Sequence, residues 1–135
     1  MKLTVVILGI LISMPAMAND TIKQDMKQIA GLFKQIATTM GDASKNQANA
    51  AAASQIAALF QNAAGQEPDS ILKLPVGQQS AAVADYRNMV TQEANLASAM
   101  AKDFATNNNA AVGAVLQQMS DLKKEGHDKY NPQAL

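Results

Sequence analysis

The sequence predicts an all-α fold, an antiparallel up-down-up-down four-helix bundle, and three features of the 135-residue chain carry that reading. The composition favours helix: Ala, Gln, Lys and Met are abundant, β-branched residues are few beyond position 18, and there are only 7 Gly and 4 Pro. Apolar residues recur at steps of three and four along four stretches. Most of these stretches are joined by short polar breaks, and a short turn leaves consecutive helices as antiparallel neighbours.

Residues 1–18 stand apart from this pattern. Lys2 precedes an apolar run from Leu3 to Ile12, and Ala16-Met17-Ala18 is the small-residue pattern that precedes a signal-peptidase cut. An exported mature chain of one domain, residues 19–135, is expected. It should be soluble, because no stretch approaches the roughly 20 apolar residues of a spanning helix. Export of a chain without cysteine fits a Gram-negative periplasm; disulfides, thiol chemistry and thioether attachment of a cofactor are all excluded.

Ile22, Met26, Ile29, Phe33, Ile36 and Met40 fall at steps of four, three, four, three and four. This narrow stripe predicts a first helix from about Asp20 to Met40. Gly41 and Asp42 stop it, and Ser44 with Gln47 reads as a capping box opening a second helix that runs to about Ala64. Its Ala-rich first half reads as ordered helix whose small side chains let a neighbouring backbone approach, with Ile56, Leu59, Phe60 and Ala63 adding bulk later. Gly65 to Gly77, with Pro68 and Pro75, is the long connection. A third helix is expected from about Gln79 to Ala105, with Val83, Tyr86, Val90, Ala94, Ala97, Ala101 and Phe104 inward. Asn107-Asn108-Asn109 turns the chain into a fourth. That helix presents Val112, Val115, Leu116, Met119, Leu122, Gly126 and Tyr130 on one face and is expected to end at Pro132.

Charge narrows the function. Both signs are scattered and nearly balanced, with 11 Lys plus Arg against 11 Asp plus Glu, so nothing steers the chain toward nucleic acid or an anionic membrane. One His and no Cys give no zinc set. Glu67, Glu93 and Glu125 are the only glutamates, too few and wrongly spaced for a di-iron bundle. There is no phosphate-binding glycine loop and no nucleophile with an evident base, so an enzyme is not expected.

The single imidazole, His127, lies near the end of the fourth helix. In an up-down bundle that end meets the start of the first helix. Met26 lies about 9 Å along the first helix and His127 about 6 Å from the end of the fourth, at 1.5 Å per residue. A thioether and an imidazole at matching depth are the pair of neutral axial ligands with which some cytochromes hold six-coordinate haem iron. Tyr86 and the Gly65 to Gly77 loop belong to the same end and would cover a flat cofactor. Taken alone, a His near a helix C-terminus ordinarily meets the helix dipole, and a Met in an apolar stripe ordinarily fills core.

The chain resembles the cytochrome b562 family in Asp25-Met26, in Asp85-Tyr86-Arg87 and in His127-Asp128-Lys129-Tyr130. The resemblance covers most of the mature chain and implies a monomeric periplasmic four-helix bundle that binds haem b non-covalently and carries single electrons to a redox protein partner. Carried over residue by residue, it makes Met26 and His127 the iron ligands and sets Tyr86, Arg87 and Lys123 beside the cofactor. Lys123 stands where the family has an arginine, so the charge is kept and the planar fork lost. Gly126 replaces a bulkier residue and Val90 an expected aromatic, which loosens the pocket. The chain is also similar to cytochrome c′, whose C-x-x-C-H corresponds here to Lys123-Lys124-Glu125-Gly126-His127; without thiols, a b-type cofactor is what remains. Two other readings stay open: a five-coordinate, gas-binding haem held by His127 alone, and a haem-free helical bundle acting through protein contacts in a stress response.

Overall fold

The structure is a computed structural model that describes residues 18–130. The expected signal peptide, apart from Ala18, and the expected stop at Pro132 lie outside the described residues. Four long helices follow the predicted order: α1 (Ala18–Thr39), α2 (Asn46–Ala64), then a one-turn helix α3 (Asp69–Leu72), α4 (Val76–Ala105) and α5 (Asn109–Tyr130). The described residues contain no strand, and the all-α four-helix bundle is the fold.

Side-chain size sets how closely the helices pair. Ala52, Ala53, Ala57 and Ala63 of α2 and Ala94 and Ala97 of α4 are all buried, and these two helices make the most intimate contact in the molecule. Small residues let the backbones approach, and Ile56, Phe60, Met100 and Phe104 fill the space to either side. α1 packs on α2 and α5 packs on α4, but α1 and α5 close the ring only loosely. Only Val112 and Met119 of α5 are buried, while Val115, Leu116, Leu122, Gly126 and Tyr130 stay half-exposed.

Each end of the bundle is tied by polar side chains. At one end Asn109 Nδ2 donates to the Met40 carbonyl at 2.7 Å and to Asn46 Oδ1 at 2.8 Å, and Asn46 Nδ2 donates to Asn107 Oδ1 at 2.9 Å. Asn107 adopts φ 56°, the left-handed conformation that Asn tolerates better than most residues, and so makes the sharp turn between α4 and α5. At the other end Asn62 Nδ2 donates to Asp25 Oδ2 at 2.7 Å, and the Tyr86 hydroxyl donates to the Ala63 carbonyl at 3.1 Å.

Three sequence expectations need correction. The capping group before α2 is Asp42, not Ser44: its carboxylate accepts from Ser44 N at 2.9 Å and Ser44 Oγ at 2.7 Å, opening a 3-10 turn over Ala43–Lys45 before α2 starts at Asn46. A carboxylate accepts two donors where a hydroxyl accepts less strongly. The connection after α2 is shorter and better ordered than its Gly and Pro suggest. α3 interrupts it with Ile71 fully buried, and α4 starts at Val76 directly after Pro75, whose fixed φ suits a helix start. The inward face of α4 also includes Met89, Glu93 and Met100, while Val83 and Ala101 are only half-buried.

Candidate functional site

A chain of contacts fixes which residues share one end of the bundle. Asp25 of α1 meets Asn62 of α2; Ala63 of α2 meets Tyr86 of α4; the rings of Tyr86 and Tyr130 of α5 lie edge to face with centroids 5.7 Å apart and planes at 83°. Met26 adjoins the first of these residues and His127 lies three before the last. They therefore occupy the same end, on the two helices that close the ring loosely. At the opposite end α1 and α5 do meet, through Asn109 on the Met40 carbonyl. That contact ties the seam at its Met40 end, and Met26 and His127 stand toward the other.

Both candidate ligands are half-buried. Met26 packs against the hydrophobic core. The imidazole of His127 has no hydrogen bond or ion pair among the described residues. Gly126 keeps the adjoining wall low: a Cβ there would lie 3.6 Å from Met89 Cε, ordinary contact. Asp25 is buried beside Met26, holding α1 to α2 through Asn62 and, at 3.4 Å, Gln66 Nε2.

Tyr86 is buried with its hydroxyl spent on α2, and burial followed by the nearby Asp25 carboxylate pushes its phenol up to about 12. Tyr130 is pushed up to about 12 by desolvation and then by donating its proton to Asp85. The same bond holds the Asp85 carboxyl below its ordinary value, with Lys129 at 3.3 Å adding to it. Lys129 is raised in turn by Glu125 at 2.8 Å and by Asp85. Ser70 Oγ of α3 donates to the Tyr130 carbonyl at 2.5 Å, fastening the connection onto the end of α5. This network clamps α5 to α4 one turn from His127 and fixes where the imidazole's helix lies.

The remaining candidates lie farther out. Arg87 is exposed and pairs with Glu67 at 3.7 Å, bordering a groove with Gln79, Ser80, Val83 and Ala84. Lys123 is exposed, and its charge acts on Glu93 of α4. A second groove, between α4 and α5, is lined by Gln92, Asn95, Leu96, Gln118, Asp121 and Leu122 and contains neither Met26 nor His127.

The donor set fits iron already held by a macrocycle. A haem held by Met26 and His127 would take one thioether and one imidazole from this end, where the Met89 thioether also lies beside Gly126. Among the described residues no group of three or more His, Cys, Asp or Glu is arranged to hold a bare metal ion. The half-buried, unpartnered imidazole beside a loosely closed seam is the structural feature that would accommodate such a cofactor.

Sequence reading passed over Glu93 as a functional residue, although its position carried the signal. It falls four residues after Met89 and seven after Tyr86, within the core stripe of α4. Burial raises its carboxyl to about 8, and Lys123 opposes that shift.

Among the described residues no helix is long and apolar enough to cross a membrane. No curated protein and no solved structure matches the chain. The family profile of cytochrome b562 matches residues 21–131, nearly all of the helical bundle. With a lone imidazole at one end of four helices, and no thiol to bind a porphyrin covalently, the chain belongs to the cytochrome b562 family, b-type cytochromes that hold haem non-covalently and transfer electrons.

Proposed function

We propose that Met26 and His127 are the axial ligands of this haem, and that the chain is an exported, periplasmic carrier of single electrons. The half-buried, unpartnered His127 at the same bundle end as Met26, across the loose seam between α1 and α5, is the observation that carries this reading. The haem supplies one-electron chemistry between ferric and ferrous iron. Met26 and His127, two neutral donors from α1 and α5, would hold the haem in either oxidation state, and the thioether would favour the ferrous form. Tyr86 and Tyr130 wall the site on the α4 and α5 side and exclude water from it. Lys123 and Lys124 are exposed on α5, where they help orient an acidic redox partner. The small-residue pattern before Asn19 supports export.

The test is to add haemin to the purified mature chain and to record oxidised and reduced visible spectra for wild type, Met26→Ala and His127→Ala. A low-spin, six-coordinate spectrum lost in both variants is expected. A high-spin spectrum indifferent to Met26→Ala would overturn the ligand pair in favour of an open, gas-binding iron.

A further inference from the structure

Glu93 sits where an ionised carboxylate is poorly accommodated. It is 5% exposed, in a stripe that includes buried Met89, Val90 and Ala97, and neither carboxylate oxygen has a hydrogen-bond partner. Burying such a group is costly unless it is paired or neutral. Its neighbours offer little pairing. α2 carries no ionisable side chain, α3 contributes only the exposed Asp69, and from α5 the charge that acts on Glu93 is Lys123, which is itself exposed.

Its place in the bundle links it to the haem end. Met89 Cε meets the low wall at Gly126, the residue before His127. Glu93 is one turn, about 6 Å, further along α4, opposite Lys123, which is itself one turn from His127 on α5. A charge gained or lost at iron bound between Met26 and His127 would act on Glu93 through core rather than through water, where electrostatic effects are strongest.

We propose that Glu93 is a proton-binding site coupled to the haem electron, so that this cytochrome takes up a proton with the electron it accepts. The inference rests on the Met26/His127 reading above. An external one-electron donor reduces ferric to ferrous iron. One proton then passes from solvent hydronium to the Glu93 carboxylate, an O–H bond breaking in hydronium as one forms on the carboxylate and water is left behind, and the charge of the core is unchanged. Oxidation releases both. The physical reason is that a ferric haem core carries one more positive charge than a ferrous one and so favours the ionised neighbour. The consequence is a carrier whose driving force depends on pH.

The test is a spectroelectrochemical titration of the haem-loaded mature chain across about pH 5 to about pH 10, a range spanning ordinary and raised carboxyl values, for wild type and Glu93→Gln. Wild type is expected to lose about 59 mV per pH unit, tenfold per unit for one electron, within part of this range. Glu93→Gln, close in shape but unable to ionise, should keep the low-spin spectrum and lose that slope. An infrared redox difference spectrum of the wild type should show a protonated carboxyl band appearing on reduction, and its absence would overturn the proposal without recourse to any variant. A slope that persists in Glu93→Gln would assign the proton to another group, such as a haem propionate, and overturn it as well. A low-spin spectrum with a flat wild-type slope sinks the proton site alone. Failure to form the low-spin species sinks both this inference and the ligand reading beneath it.

Discussion

A carboxyl group buried without a partner makes the apoprotein itself sensitive to pH, and Glu93 is that group. Its folded value, about 8, lies above the ordinary 4.5, so the unfolded chain ionises first as pH rises. Stability should therefore fall by up to about 1.4 kcal/mol per pH unit between the two values and level off above the higher one. Glu93→Gln should abolish that slope in urea unfolding measured at several pH values, and an unchanged slope would place the titration elsewhere. Tyr86 poses a smaller test. Its hydroxyl bonds the Ala63 carbonyl at 3.1 Å within the core, so Tyr86→Phe should cost about 1 kcal/mol while leaving the ring contact with Tyr130 in place. Equilibrium unfolding measures the first effect, and a cost near zero would show that water satisfies the carbonyl instead. His127 was legible as a ligand candidate because it is the only imidazole; Glu93 was not, because a glutamate in a helical stripe gives no hint that its oxygens will lack partners.

The helices owe their separate characters to the size of what they bury. α2 and α4 approach closely and both bury alanines, among them Ala53, which is 0% exposed. Ala53→Leu should force these backbones apart at a cost of about 1–3 kcal/mol, read as a lowered urea midpoint. The Ala-rich half of α2, which resembles low complexity as a string of letters, is thus the part of the sequence that sets the tightest spacing in the fold. The ends of elements were less legible than their middles. Caps depend on which of several nearby polar groups reaches the free N–H groups, and Asp42 reached them where Ser44 was expected. The start of α4 moved earlier because Pro75 is compatible with a helix start as well as with a loop.

At the scale of the whole molecule the bundle is asymmetric, with three close helix pairings and one loose one. In the haem-free protein, amide hydrogen exchange should therefore be faster in α1 and α5 near Met26 and His127 than in the buried faces of α2 and α4. Haem should slow exchange at that seam and raise the unfolding free energy by about 2.7 kcal/mol when free haem is a hundredfold above its dissociation constant. Met26→Ala and His127→Ala should each reduce this gain. Equal protection of all four helices before haem is added would show the seam to be closed already.

The sequence by itself determined the four helices, their order and their antiparallel sense, and it singled out Met26 and His127 as candidate ligands. Each of these depends on periodicity, on short connections or on a residue type that occurs once. Only the tertiary structure decided that α1 and α5 would close the ring loosely, that Asp25 and Tyr86 would tie α1, α2 and α4 at the level of Met26, and that Arg87 would turn outward to Glu67. It alone left both oxygens of Glu93 in the core without a partner. Burial and partnership are properties of what other elements bring to a residue, and no pattern along one helix specifies what its neighbours will leave unfilled.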